Sequence, residues 1–334
     1  MSLPRRRIVV GDALETLRQL PAGQIDSVVT SPPYFRLRNY GHAGQIGLED
    51  HVDQWVEQLR QVSKEVARIL HPRGTYWLNI GDTYALNRHQ GASGRKGLVL
   101  APDRLAVALN EDGWLIRNKI IWAKTNHTPS SVTDRLTCSY EVILLLVRSP
   151  KYYFDLHSIR TPHRSRPPTR SRQLDRPPRG GGEGWRGPNT DGNGGGLDQL
   201  KRQGLIGHPL GRNPGDVWSM SVSNYRGAHF ATFPQKLAEQ MIQAGTPVKR
   251  CRSCLSPWTR KVRRLGATAT RLALAPTCDC QAASEPGIVL DPFMGAGTTA
   301  IAAQALGRDW LGVEINPAFA TQARARIRAA TDPR

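Results

Sequence analysis

Asp291-Pro292-Phe293-Met294-Gly295-Ala296-Gly297-Thr298-Thr299 is the stretch that decides the fold. The apolar run Ile288-Val289-Leu290 before it reads as a short buried strand, and Ala300 to Leu306 after it as a helix. Strand, Gly-x-Gly turn and helix form a nucleotide-cofactor unit, because the glycines permit a tight turn and close approach of the backbone to a ligand. A second strand, Trp310 to Val313, ends in Glu314. An acidic residue about twenty positions on, at a strand end, is placed to accept hydrogen bonds from ribose hydroxyls. A lone Gly-x-Gly is weak; flanked by Asp291 and Glu314 it predicts an α/β fold with a mostly parallel sheet.

The other informative stretch lies near the N-terminus: Thr30-Ser31-Pro32-Pro33-Tyr34. It follows the apolar run Ile25 to Val29, read as a buried strand. Two prolines end that strand, since neither offers a backbone N–H to a ladder. They also stiffen the chain, holding Ser31 and Tyr34 at the strand's C-terminal end, which faces the ligand crevice in open α/β sheets. A rigid turn with a hydroxyl, free carbonyls and an aromatic ring suits a flat heterocycle bearing an amino group. Taken alone, it is also an ordinary Pro-Pro turn with a surface tyrosine.

Together, Ser31-Pro32-Pro33-Tyr34 early and Asp291 to Thr299 late resemble the β-class amino-methyltransferases of DNA, which place the catalytic motif before the cofactor motif, a circular permutation. The Ser-Pro-Pro-Tyr form resembles the cytosine-N4 members. The resemblance spans nearly the whole chain except roughly residues 157 to 215. It implies a Rossmann-like S-adenosylmethionine-dependent methyltransferase fold with helices on both faces, and S-adenosyl-L-methionine as cofactor. By the same resemblance, catalysis falls to Ser31, Pro32, Pro33 and Tyr34. Cofactor binding falls to Asp12, Thr30, Thr232, Phe233 and Pro234. It also falls to Asp291, Pro292, Phe293, Gly295, Gly297, Thr298, Thr299, Glu314 and Asn316. Asp12 reads equally as a helix N-cap, and the two roles are compatible.

Composition agrees. The 334 residues carry 46 Lys+Arg against 27 Asp+Glu, a formal charge of +19, and the pI is near 10.4. That excess is the footprint of a polyanionic partner, although charge alone does not separate DNA from RNA or an acidic membrane. The most apolar run, Val142 to Val147, has strand length, so no membrane span is expected. Arg5-Arg6-Arg7 then Ile8-Val9-Val10 lacks a signal-peptide core. Five cysteines suggest an intracellular metal site rather than a disulfide framework. The expected location is the cytoplasm, at the nucleoid, for a prokaryotic or phage-encoded protein. The expected partners are double-stranded DNA and a cognate restriction endonuclease, with no membrane.

Along the chain, Phe35-Arg36-Leu37-Arg38-Asn39-Tyr40 interleaves aromatics with arginines and reads as a nucleic-acid contact. Val52, Val56, Leu59, Val62, Val66 and Ile69 fall on one face of a helix from about Glu49 to Leu70. Asn79 or Asp82, at the end of the strand Thr75 to Ile80, is placed to orient Ser31 or the target amine. Residues 84 to 98 read as a mobile loop. No Pro-Cys dipeptide occurs, so the familiar setting of the thiolate in cytosine-C5 enzymes is missing.

The expected organisation is a catalytic half (1–156), a basic flexible target-recognition insert (157–215) and a cofactor-side segment (216–250). A zinc-binding knuckle (251–283) and the S-adenosylmethionine-binding half (284–334) follow. Arg, Pro and Gly dominate the insert, which has too little apolar area to order alone. In the knuckle, Cys251-x-x-Cys254 and Cys278-x-Cys280 flank a basic hairpin-like stretch, a pattern for a structural tetrahedral zinc. Related methyltransferases place a glycine after the second cysteine of such a pair; here Leu255 stands there.

The expected chemistry is direct methyl transfer to cytosine N4 of a flipped base. Ser31 Oγ and the Pro32 carbonyl would accept the amine's hydrogens while Tyr34 stacks on the base. Adenine-N6 methylation is the nearest alternative, and a DNA-binding protein without activity a weaker one.

Overall fold

The computed structural model of the chain describes residues 3–163, 208–222, 233–265 and 268–330. Thr232 and most of the expected target-recognition insert lie outside the described residues. By contacts the chain divides into two units. One comprises Met1–Asp155, Gly215–Thr259 and Ala275–Arg334, the other Leu156–Pro214 and Arg260–Leu274.

The larger unit is built on the parallel strands β1 (Arg7–Val10), β2 (Ile25–Thr30), β3 (Leu70–Ile80), β11 (Ile288–Asp291) and β12 (Asp309–Glu314). Strands β4 (Leu115–Lys124), β5 (Tyr140–Val147) and β6 (Val217–Met220) extend the sheet, in the order β1-β12-β11-β2-β3-β5-β4-β6. Only the β3–β5 and β5–β4 pairings are antiparallel. Every residue of β2, β11 and β12 is buried, as for strands covered on both faces.

Helices α1 (Ala13–Arg18), α2 (Val52–Ile69) and α3 (Ala101–Glu111) pack side by side. Helix α2 buries the six positions the sequence spacing picks out, with Trp55 added to the stripe. Helix α5 (Gln235–Gly245) packs on α6 (Thr298–Ala305), and α7 (Pro317–Ala329) follows β12. No helix among the described residues is long and apolar enough to cross a membrane.

Strands β2 and β11 come from opposite ends of the chain yet pair directly, Val28 opposite Leu290. From β11 the chain moves to β12 on one side; from β2 it moves to β3 on the other. The strand order therefore reverses between them, and the crevice at their carboxyl ends is where such sheets bind ligands. Thr30-Ser31 leaves β2 there, and Asp291 ends β11 there.

Residues 84–98, expected to be a mobile loop, close on themselves: Tyr84 bridges Leu98, and Ala85 and Gln90 are buried. Two backbone bonds, Ala85 N to Gly97 O and Lys96 N to Ala85 O, hold the closure.

The short strands β7 (Arg250–Cys251) and β10 (Ser284–Glu285) pair antiparallel beside the cysteines. In the smaller unit the helical turn α4 (Leu156–Ile159) accepts a bond from Arg271 at the His157 carbonyl. Arg271 belongs to β9 (Thr268–Ala275), which pairs with β8 (Thr259–Leu265) in the basic stretch between the cysteine pairs.

Candidate active site

At the switch point lies a cavity of about 340 Å3. Ser31, Pro32, Pro33 and Tyr34 line it from the end of β2. Asp291, Pro292, Phe293, Gly295 and Thr298 line it from the β11–α6 turn. Asp12, Phe233 and Glu314 of the expected set also line it, and Arg38, Tyr40, Asn79, Lys124 and Glu141 reach it as well. Of the remaining expected residues, Thr30, Gly297 and Thr299 lie behind the wall, while Pro234 caps α5 and Asn316 caps α7.

Asp291 is the hub behind the turn. Its carboxylate accepts from Thr30 Oγ1 at 2.5 Å, Thr299 Oγ1 at 2.7 Å and Phe293 N at 3.0 Å. These bonds join β2, β11 and the first turn of α6. Burial pushes the Asp291 carboxyl up to about 6, with the two threonine hydroxyls and the Phe293 N–H opposing. Asp291 thus fixes the glycine turn to β2. Gly295 and Gly297 take φ of 50° and 78°, the left-handed region that a side chain disfavours. Glu314 accepts from Gly295 N at 2.8 Å and from Asn316 N at 2.9 Å, and burial raises its carboxyl pKa. Each carboxylate oxygen keeps a further lone pair, so the residue fits a ribose hydroxyl. Asp12 caps α1, accepting from Glu15 N at 2.9 Å, while its residue also lines the cavity.

At the other end a polar chain surrounds Ser31. Ser31 Oγ donates to Tyr34 Oη at 3.0 Å, and Tyr34 Oη donates to Glu141 Oε2 at 2.6 Å. Asn79 Nδ2 donates to Tyr34 Oη at 2.8 Å and to Glu141 Oε2 at 2.7 Å. Lys124 Nζ pairs with Glu141 Oε1 at 2.6 Å. Burial and then the Glu141 charge hold the Tyr34 phenol well above its ordinary pKa, so it stays a donor. With its proton spent on Tyr34, Ser31 Oγ presents lone pairs. Asn79 Oδ1 is buried with no partner among the described residues, a second open acceptor.

Two further contacts fix this turn. Trp55 Nε1 donates to the Pro33 carbonyl at 2.9 Å. Gly81 lies flat against the Tyr34 ring; a Cβ there would come within 2.7 Å of it.

Sequence reading placed Asn79 or Asp82 here; the structure selects Asn79. Asp82 instead accepts from Thr83 N at 2.8 Å and Ala101 N at 3.1 Å. Glu141 carries no signal in the sequence that marks it for the site, whereas Lys124 opens a loop that the resemblance places at the border of the target-base pocket. Phe35, expected to meet nucleic acid, is 1% exposed and packs with its ring centroid 6.5 Å from that of Trp55. Burying a large ring in the core outweighs leaving it beside the arginines.

The four knuckle cysteines converge: their Sγ atoms all lie within 4.8 Å of one another, and all are free thiols. Tetrahedral Zn–S bonds of about 2.3 Å need S···S edges of about 3.8 Å, so the set fits zinc. Leu255 and Gln281, each following the second cysteine of a pair, take φ of 60° and 51°. Leu255 therefore adopts the conformation that a glycine would supply.

The DNA methylase family model that covers the N6 and N4 enzymes matches residues 25–325. The chain belongs to this family. Among relatives of this DNA methylase, the type II methyltransferase M.SmaI of Serratia marcescens is 33% identical, over 96% of this chain and 90% of its own. M.XycI of Xanthomonas campestris pv. cyanopsidis is also 33% identical, over 95% and 86%. Two solved structures share the fold. PvuII DNA methyltransferase (cytosine-N4-specific) has a TM-score of 0.58 at 17% identity, covering 98% of this chain and 92% of that one. A modification methylase of Thermus thermophilus, complexed with S-adenosyl-L-methionine, has a TM-score of 0.55 at 24% identity, over 98% and 95%.

Proposed function

We propose that this DNA methylase moves a methyl group from S-adenosyl-L-methionine to the exocyclic N4 of a cytosine flipped out of duplex DNA. The observation that carries the reading is the single cavity shared by the Ser31–Tyr34–Glu141 chain and the Gly295–Glu314 turn. The cofactor supplies an electrophilic sulfonium methyl. The protein's task is to make a poor nucleophile better. An exocyclic amine conjugated with its ring has a delocalised lone pair. Ser31 Oγ, its own proton turned to Tyr34, accepts one amine hydrogen, and the Pro32 carbonyl accepts the other. The nitrogen would be drawn toward tetrahedral geometry with its lone pair free for the methyl carbon. As the N–C bond forms the sulfonium S–C bond breaks, S-adenosylhomocysteine leaves, and the methylated nitrogen gives up one proton to water. Glu141 and Asn79 lock Tyr34, and through it Ser31, before substrate arrives, so no reorganisation is needed at the moment of reaction.

The choice of cytosine N4 rests on Ser31 in the Ser-Pro-Pro-Tyr motif; the family includes adenine-N6 enzymes. The net charge of +19 supports duplex DNA as substrate. The names of the type II relatives support pairing with a cognate restriction endonuclease and a cytoplasmic place of action. Cys251, Cys254, Cys278 and Cys280 form a structural zinc centre in this reading, since four thiolates leave no open position. Mass analysis of nucleosides tests the reading, after incubating unmethylated duplex DNA with the protein and labelled S-adenosylmethionine. N4-methylcytosine is expected. N6-methyladenine would move the assignment to the other branch of the family, and no labelled nucleoside would refute it.

A further inference from the structure

Among the described residues, six charged ones line the cavity: Asp12, Arg38, Lys124, Glu141, Asp291 and Glu314. Lys124 is bound to Glu141. Arg38 therefore stands as the cation in this set that is not in a salt bridge among the described residues. Its Nη1 is buried and has no hydrogen-bond partner there. A buried guanidinium nitrogen without an acceptor is costly, so its place implies an acceptor supplied from outside the protein.

Backbone geometry holds Arg38 over the cleft. Gln45 Nε2 donates to the Arg38 carbonyl at 3.2 Å and Gln45 Oε1 accepts from Tyr40 N at 2.6 Å, closing residues 38–45 into a loop. Asn316 Nδ2 ties the Tyr40 carbonyl to the end of β12 at 3.2 Å. The loop thus spans from the catalytic turn, four residues before Arg38, to the Glu314 strand end. Burial raises the Tyr40 phenol pKa, Arg38 opposing and Glu314 and Glu141 adding to it, so this phenol lies within electrostatic reach of all three.

We infer that Arg38 binds the carboxylate of the cofactor's amino-acid arm. The inference rests on the S-adenosylmethionine reading above. That cofactor carries one carboxylate beside an ammonium and a sulfonium. The acidic side chains of Asp12, Asp291 and Glu314 make this cavity unfavourable for that anionic group. Arg38 resolves that opposition, and its planar fork matches a carboxylate bidentately. The residue thereby orients the arm, and the sulfonium methyl with it, toward Ser31.

Calorimetric titration with S-adenosylhomocysteine and with its decarboxylated analogue tests this in wild type, Arg38→Gln and Arg38→Lys. Wild type is expected to prefer the carboxylate-bearing ligand by about 10- to 100-fold. Arg38→Gln is expected to lose that preference and bind both ligands as wild type binds the decarboxylated one. Arg38→Lys should recover part of it. An unchanged preference in Arg38→Gln overturns the assignment, as does equal weakening of both ligands. Unaltered cofactor affinity with a raised KM for DNA would transfer Arg38 to a backbone phosphate. Failure of wild type to bind either ligand would instead sink the methyltransferase reading itself.

Discussion

Tyr34 Oη donates to Glu141 Oε2 at 2.6 Å, joining the turn after β2 to the start of β5 across 107 residues of chain. This bond sets the direction of the whole polar chain: Tyr34 can accept from Ser31 only because its own proton is taken. Glu141→Gln keeps the shape but replaces the anion with an amide. Turnover is expected to fall about 10- to 100-fold, with cofactor affinity within about twofold of wild type. Single-turnover methyl transfer and calorimetry check the two halves of that statement.

Gly81 gives an independent handle on the same tyrosine. A methyl group at this position would meet the Tyr34 ring at 2.7 Å and 2.9 Å, so one of them must shift. Gly81→Ala is expected to lower the transfer rate as Glu141→Gln does, again without loss of cofactor binding. A wild-type rate would mean that the ring position is immaterial.

The Asp291 carboxyl predicts a pH effect on stability. Its native pKa lies near 6, above the ordinary carboxylate value of 3.8, so between those values the native state holds the extra proton. Its contribution to stability is therefore full below about 4 and lost as pH rises through about 6, by roughly 3 kcal/mol. Asp291→Asn cannot ionise. Its melting temperature relative to wild type is expected to be higher at pH 7 than at pH 5. Equal differences at both values would show that the carboxyl does not titrate there.

Arg250 couples the cysteine knuckle to the sheet. Fully buried, it pairs with Asp26 at 2.9 Å and Glu285 at 2.8 Å, and it donates to the Gln24 carbonyl at 2.6 Å. Asp26 also accepts from Ile288 N at 2.8 Å, at the start of β11. Removing the metal should loosen β7, the strand that carries Arg250 beside Cys251. Chelation is expected to lower the melting temperature and release one zinc per chain. Arg250→Met is expected to cost about 3 to 5 kcal/mol, because it strands the buried Asp26 carboxylate, while Glu285 keeps Arg5 at 2.7 Å. Leu255→Gly should stabilise by up to about 1 kcal/mol by relieving the left-handed backbone. Protein that carries no zinc when purified without chelator would remove the metal from this picture.

What could be read in the sequence was local. The Pro32-Pro33 turn, the Gly295–Gly297 turn and the cysteine spacings each carry their geometry within a few residues. The pairing of β2 with β11 is not legible, since nothing in residues 25 to 30 names residues 289 and 290 as neighbours. Glu141 is illegible because it meets Tyr34, and Lys124 meets Glu141, through two antiparallel registers, β3 with β5 and β5 with β4. A one-residue slip in either would turn them away. Phe35 reads as exposed because arginines follow it at 36 and 38, whereas its partner Trp55 lies on α2.

Ser31 tests the central claim most directly. Single-turnover methyl transfer to duplex DNA should be measured for Ser31→Ala beside calorimetric binding of S-adenosylhomocysteine. The transfer rate is expected to fall about 100- to 1,000-fold, the loss typical of one preorganised catalytic hydrogen bond, while cofactor affinity stays within about twofold. An unchanged transfer rate would contradict the role given to this hydroxyl.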